Sequence, residues 1–184
     1  LREIERRLAR DVRWAGRIGR ATSRPRGRRR LSVCDLHVSA GSAAQFAEWF
    51  RSRTREDDHE AMLAACPDHF VLRTRPDGRQ EVLETTGGSP LASRFLVDYE
   101  DTSTLLTHPD AAFPEQIAGV ALIADGVPVG GVRHQFRDEG EGFRARLTVE
   151  FPALTNPHML AQHRWHLACE FSNWIEAAAG GRAP

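Results

Sequence analysis

Three side chains near the carboxyl end of the chain have types and spacing that suit proton transfer. His163, His166 and Glu170 are separated by three and four residues, so on a helix they lie within about 60° of one another on one flank. Imidazole and carboxylate groups placed there could orient a substrate or exchange protons with it. Two alternatives stay open: a solvated or structural polar flank, and a metal site. We expect no metal and no cofactor, because no matching ligand pair occurs on another predicted helix.

His134 is a further candidate, and it lies in a strand-like stretch. It shares the parity of Val132 and Phe136, whereas the two valines that precede this stretch have the opposite parity. A β-bulge at Gly130-Gly131 would insert one residue and bring all of these side chains onto one face. His134 would then point inward, where a buried imidazole suits a general acid or base. The alternative is a core histidine bound to a backbone carbonyl or a carboxylate.

The segment 84–90, Glu-Thr-Thr-Gly-Gly-Ser-Pro, is polar and contains two adjacent glycines. Its successive amides could bind an anion. We prefer the interpretation of a strand end, a turn and a Ser89 N-cap, with Pro90 opening a short helix. The chain has neither a P-loop lysine nor a nucleophile elbow nor a paired-histidine zinc motif. The run 57–60, Asp-Asp-His-Glu, could hold a metal but is typical of a solvated helix start.

Composition indicates one soluble domain. The chain has 184 residues, of which 41% are hydrophobic and 27% charged, and no apolar run is long enough to cross a bilayer. Cys34, Cys66 and Cys169 are widely spaced and odd in number, which argues against a disulfide framework and for a reducing, cytoplasmic location. All 25 basic residues are arginine, a bias typical of GC-rich bacterial genomes.

Charge divides the chain at residue 30. Residues 1–30 hold 12 arginines and three acids, a net charge of +9, and the remainder carries −9. Apolar residues recur every three or four positions through residue 18, so the first segment predicts a basic amphipathic helix followed by a linker. An arginine-rich start also resembles an organelle transit peptide. The simplest partner of this arm is the acidic domain itself or its copy in an oligomer.

Residues 31–184 predict a single α+β domain. A capping box from Ser42 to Gln45 opens one helix, and Asn156-Pro157 opens the last. Four arginines between residues 133 and 146 alternate with acids, which is typical of an ion-paired outer sheet surface. The predicted elements are a strand over 31–38, helices beginning near 42 and 56, strands over 70–74, 80–86, 93–99, 117–124, 127–137 and 143–151, a loop over 100–114, and a helix from 157 to a stop at Gly180-Gly181.

This order of elements resembles the helix-grip fold of the START and birch-pollen-allergen superfamily. The resemblance covers residues 31 to about 179, matches no motif and therefore transfers no catalytic residue. It implies a curved antiparallel sheet wrapped around the last helix, with an apolar cavity between them. The alternative is the cone-shaped nuclear transport factor 2-like fold, which usually ends in strands.

The fold and the candidate side chains together predict that the chain binds or transforms a small, largely apolar organic molecule. Cyclisation, dehydration or isomerisation needs a shaped pocket and one or two proton-transfer groups. We expect His134 to be the acid–base group, with His163, His166 and Glu170 orienting it or the substrate. The alternative is a regulatory or interaction module whose basic arm docks on a partner protein or an oligomer. Nucleic-acid binding through the arm is disfavoured by the acidic domain.

Overall fold

The computed structural model describes residues 2–23 and 27–180. Residue 1 of the predicted amphipathic face, Pro25 of the predicted linker and Gly181 of the predicted helix stop lie outside the described residues. The elements are α1 Arg2–Thr22, β1 Arg29–Val38, α2 Ala43–Arg55, α3 His59–Leu63, β2 His69–Thr74, β3 Gln80–Glu84, a 3₁₀ turn Thr86–Gly88, β4 Ser93–Asp98, β5 Glu115–Leu122, β6 Pro128–Glu139, β7 Gly142–Pro152 and α4 Pro157–Ala178.

All seven strands form one antiparallel sheet in the order β1-β7-β6-β5-β4-β3-β2. The strand that comes first in the chain, β1, pairs with the one that comes last, β7. The sheet curves around α4, whose apolar stripe packs on the concave face. This is the helix-grip arrangement that the element order predicted, and the predicted fold class is confirmed. The long helix follows the last strand, which excludes the alternative that ends in strands.

A bulge in β6 sets which side chains face α4. Ala121 of β5 is opposite Gly130, but Leu122 is opposite Pro128, so Val129 is the extra residue. The bulge therefore lies one residue before the predicted Gly130-Gly131 pair. His134, which lies beyond the bulge, points inward as predicted: it is only 5% exposed, and its ring lies on Phe171 of α4.

Three local predictions about helix starts are wrong. Ser42 precedes α2 but its side chain makes no cap hydrogen bond; the carboxylate of Asp138, at the end of β6, accepts from the amide of Ala43 instead. The second helix begins at His59 rather than near residue 56, since Asp58 accepts from its first turn. Ser89 does not begin a short helix; it directly follows the 3₁₀ turn, which ends at Gly88.

The first half of helix α1 lies against the convex face of the sheet. Leu8 and Val12 pack on a small cluster centred on Val71 and Leu83, and Glu5 accepts a hydrogen bond from the guanidinium of Arg94. No residue of α1 is buried, so the helix is held by few contacts. Within the described residues, no helix has the length and apolar character needed to cross a membrane.

The remaining convex surface is held by ion pairs and by the predicted loop over 100–114. Arg144 and Arg146 both contact the carboxylate of Asp35, and Arg133 donates to the side chain of Gln116 beneath the loop. Glu150 accepts from two loop amides, those at residues 106 and 107. The interspersed charges therefore serve the fold of this surface.

Candidate functional site

A cavity of about 430 Å³ lies between the concave face of the sheet and the inner face of α4, from Met159 to Trp174. Val132 and Val149 are cross-strand partners that face α4, yet both are only half-buried, because the cavity lies in front of them. Phe95 and Phe151 add to the apolar wall, and part of α1, including Ile18, lies along the same cavity. The lining is therefore mostly apolar.

Helix α4 brings the three spaced polar residues to this cavity. His163, His166 and Glu170 all line it and are 4–7% exposed. The sequence placed them at the rim of the cavity, and that expectation is wrong: they lie inside the interface between helix and sheet. The Asn156 side chain accepts from the amide of His158 and fixes the start of the helix, so this face points at the sheet from the first turn.

His69 is the important residue that the sequence did not indicate. Regular alternation gives it the parity of Val71, which faces the convex side. The pairing of β2 with β3 shifts between His69 and Val71, leaving Phe70 as the extra residue. This bulge turns His69 inward, directly opposite Glu84 of β3. The inward orientation of Glu84 could have been deduced, because it shares the parity of Val82.

Two histidines and two glutamates alternate around a small ring at the polar end of the cavity. His69 Nε2 lies 3.2 Å from Glu84 Oε2 and 3.3 Å from Glu170 Oε2. His166 Nε2 lies 3.7 Å and 3.6 Å from the same two oxygens. We call these four residues the histidine–glutamate ring. Three separate elements, β2, β3 and α4, therefore meet at one point.

The ring is held by opposite charges in a nearly dry place. Burial alone would lower the pKa of His69, but hydrogen bonds with Glu170 and Glu84 raise it to about 11. Burial alone would raise the pKa of Glu84, but His69 lowers it to about 2. The pKa of His166 rises to about 10 against the effect of burial, owing to its contact with the Cys66 thiol and the charges of Glu170 and Glu84. Both imidazoles are then cationic at neutral pH, and the Glu84 carboxylate is ionised.

Two other histidines at the cavity are neutral. Burial lowers the pKa of His134 to about 3, and protonation of the neighbouring His163 acts in the same direction. Burial also lowers the pKa of His163 to about 3, with the charge of His166 acting in the same direction. The Nδ1 of His163 is 2.9 Å from the hydroxyl oxygen of Ser32. Among the described residues, the Nδ1 of His134 has no hydrogen-bond partner.

A glycine allows the polar end of the cavity to close. Gly87 of the 3₁₀ turn has a φ of 46°, and a Cβ on it would lie 2.6 Å from the backbone nitrogen of His163. The turn therefore packs on α4 backbone to backbone, which only a residue without a side chain allows. The polar segment 84–90 thus supplies Glu84 and a close contact with the helix.

His134, His163, His166 and Glu170 all line one cavity, and their catalytic roles stay predictions. The run 57–60 is separate from them: Asp58 caps α3 and pairs with Arg53. Within the described residues, two groups of side chains could hold a metal ion, and both include His166. His69 and Glu170 lie on one side of the His166 imidazole, and Cys66 and Asp68 lie on the other. Chemically, the cavity offers an apolar chamber, a neutral imidazole and a charged ring.

Comparison with known proteins reveals likenesses to solved structures. An AHSA1-like protein from Aeromonas hydrophila matches with 19% identity over 82% of this chain and 94% of its own, at a TM-score of 0.46. Ara h 8.0201 matches with 11% identity over 84% and 100%, at 0.48. An anthrahydroquino-gamma-pyrone synthase, Txn09, matches with 16% identity over 78% and 85%, at 0.29. No protein-family profile and no curated protein sequence matches the chain.

Proposed function

We propose that this protein binds a small, largely apolar organic molecule in the cavity beneath α4 and transforms it there by proton transfer. The observation that carries the proposal is the cavity itself: about 430 Å³ of open space between sheet and helix. Ligand sites for small molecules typically have volumes of about 300 to 1,000 Å³ and apolar walls with few polar groups. Both features fit this cavity.

Apolar contacts would supply most of the binding free energy. Val132, Val149 and Phe95 face the cavity and are half-buried, so a ligand in the cavity would remove the rest of their apolar surface from contact with water. Each Å² of apolar surface so covered contributes about 25 cal/mol. The ligand is therefore expected to place its apolar body against these side chains and its polar group toward the histidines.

The proton-transfer group in this proposal is His134. Because its imidazole is neutral and one ring nitrogen has no partner among the described residues, it can accept a hydrogen bond from a substrate hydroxyl; burial lowers its pKa, so it would hold a proton only transiently and pass it on within the reaction. His163, His166 and Glu170 would orient the polar end of the substrate. Reactions that need only such groups are cyclisation, dehydration and isomerisation.

Titration with the fluorescent apolar probe N-phenyl-1-naphthylamine tests the binding step. We expect saturable fluorescence enhancement at one probe per chain. Val132→Trp would fill part of the cavity and should weaken binding at least about tenfold, equivalent to about 1.4 kcal/mol. Native mass spectrometry of the purified protein adds a direct search for a retained organic molecule.

The matched control is Val33→Trp, which places the same side chain on the exposed convex face of β1. It should leave probe affinity unchanged. Equal effects of the two tryptophan substitutions, or no saturable binding by the unmodified chain, would contradict the proposed function. Once a substrate is found, His134→Gln should abolish turnover while the probe still binds.

A further inference from the structure

We infer that the histidine–glutamate ring is a binding site for one divalent transition-metal ion, of the zinc or iron(II) type, at the polar end of the cavity. His69, His166 and Glu170 would supply three ligand atoms, and the Glu84 carboxylate would lie beside both imidazoles. The inference adds a site to the proposed function but does not depend on it, since metal binding can be measured with no organic ligand present.

The spacing of the donor atoms is the first argument. Nitrogen and oxygen ligands about 2.1 Å from one ion lie about 3.0 to 3.6 Å apart for bond angles of about 90° to about 120°. The four histidine-to-glutamate distances in the ring are 3.2, 3.3, 3.6 and 3.7 Å. The ligand atoms of His69, His166 and Glu170 also all lie within 4.8 Å of one another. The distances from Glu170 to His69 and to His166, 3.3 and 3.6 Å, match those that one shared ion imposes.

A second argument is the support behind His166. Its Nε2 faces the ring, while its Nδ1 lies 3.4 Å from the carboxylate of Asp68. A metal-bound histidine usually donates its other ring N–H to a carboxylate or a carbonyl, which fixes the tautomer and orients the ring. Among the described residues, the Nδ1 of His69 has no such partner, so only one of the two imidazoles is supported in this way.

Charge and burial give the third argument. Glu84 and Glu170 are 5% and 7% exposed, and two carboxylates in such a place need a compensating double positive charge. A divalent cation would supply this charge in place of the two imidazole protons, which leave to the solvent when the ion binds, so the set has no net charge in either form. The mixture of imidazole and carboxylate ligands suits zinc, iron(II) or manganese rather than calcium or copper(I).

Position decides what the ion could do. All four ring residues line the cavity, so the ion would lie at its wall and could take a ligand atom from the cavity side. A site with a free coordination position polarises a carbonyl or lowers the pKa of a bound water. The ring would then serve as the Lewis-acid end of the same chamber.

The experiment uses the full chain, treated with a chelator and dialysed. Co²⁺ is added as a coloured probe, and its visible absorption is followed as the ion to protein ratio rises; Zn²⁺ is then titrated calorimetrically. We expect absorption that saturates at one equivalent and disappears when Zn²⁺ displaces Co²⁺. Binding without a defined stoichiometry, or none, would overturn the inference and leave the ring as an ion-paired cluster only.

Variants locate the ion. His69→Gln and Glu170→Gln should each lower the affinity by more than about 100-fold, and Asp68→Asn, behind His166, by about tenfold. His158→Gln removes an exposed histidine from α4 and should change nothing. Circular dichroism checks that each variant is folded; if a ring variant is not, Asp68→Asn, at a half-exposed side chain, still tests the site.

One substitution separates the two sides of the His166 imidazole. Cys66 Sγ lies 3.6 Å from His166 Nδ1. An ion held by Cys66 and Asp68 would therefore lie on the Nδ1 side of the His166 imidazole, away from the histidine–glutamate ring. Cys66→Ser should leave the affinity unchanged if the ion lies in the histidine–glutamate ring. Loss of Co²⁺ binding in Cys66→Ser with retention in His69→Gln would overturn the inference.

Discussion

The interface between α4 and the sheet contains two regions, one packed with aromatic side chains and the other open. Toward its carboxyl end, α4 lies on a packed aromatic block: Phe171 and Trp174 are 5.1 Å apart between ring centroids, and Phe46 and Phe136 are 5.3 Å apart. Toward its amino end, α4 lies over the cavity and the histidine–glutamate ring. Helix α2 makes the difference, since Phe46 extends from it into the aromatic block and does not line the cavity.

The contrast shows how a chain of this size can keep an open cavity. A packed block that holds helix and sheet together allows the other half of the interface to stay hollow and to bury polar groups at a cost in stability. Each region therefore predicts its own response to mutation. Substitutions in the aromatic block should act on stability, and substitutions around the cavity should act on binding.

The largest expected effect comes from the aromatic block. Phe136 is fully buried and contacts the rings of Phe46 and Phe171, so Phe136→Ala should lower the free energy of unfolding by about 4 kcal/mol through lost burial and the space left behind. Val132→Ala, four residues away on the same face of β6, should cost about 1 kcal/mol or less, because Val132 is already half-exposed to the cavity.

Urea unfolding of both variants, followed by circular dichroism, measures the difference. Probe binding by the same variants gives the complementary result, since Val132→Ala enlarges the cavity and Phe136→Ala does not touch its lining. Equal losses of stability would mean that the two regions are packed alike, and the comparison would fail.

The architecture could be predicted from the sequence because it depends on local patterns. Alternation in β7, the Asp-Gly turns and the Asn156-Pro157 start of α4 are signals carried by neighbouring residues, and the order of elements then limits the topology. The cap of α2 could not be found in this way. Ser42 has the right type, but Asp138, far along the chain, lies closer to the amide.

An intermediate effect is expected at the contact that closes the polar end. Gly87→Ala would meet the backbone of His163 and would also put a side chain on a residue with positive φ, so it should lower the free energy of unfolding by about 3 kcal/mol. Gly126→Ala is the control: φ is 78° there, but nothing lies within 4 Å of the new Cβ. It should cost only about 1 kcal/mol.

Urea unfolding measures both alanine variants. A small cost at Gly87 equal to that at Gly126 would mean that the 3₁₀ turn can move away from α4. The close backbone contact would then contribute little to the position of Glu84 and His163.

Part of the histidine–glutamate ring could be predicted from the sequence. His166 and Glu170 share a helix face, so their spacing indicates their proximity. His69 was not, because a bulge at Phe70 reverses the face that alternation assigns to it, and nothing in the residues around it announces a bulge. Contacts between distant strands depend on such single-residue shifts in register, and these are decided by the packing of the whole sheet.

The smallest of the three effects is a pH dependence, and it concerns the neutral histidine of the cavity. Burial lowers the pKa of His134 to about 3, with protonation of His163 acting in the same direction, whereas in the unfolded chain it is about 6.5. Below pH 6.5 the His134 imidazole is protonated in the unfolded chain but stays neutral in the folded chain. The stability associated with His134 is therefore complete above about pH 6.5 and is lost as the pH falls toward 3.

His134→Gln removes this proton uptake. Between pH 7 and pH 5 the unmodified protein should lose about 2 kcal/mol more stability than the variant does, as measured by urea unfolding at both values. His163 has a pKa lowered in the same direction, so a second substitution, His163→Gln, should reduce the remaining acid sensitivity further. Parallel pH profiles for the unmodified protein and His134→Gln would mean that His134 can take up a proton in the folded state, and the cavity beneath α4 would then be wet enough to hold a charge.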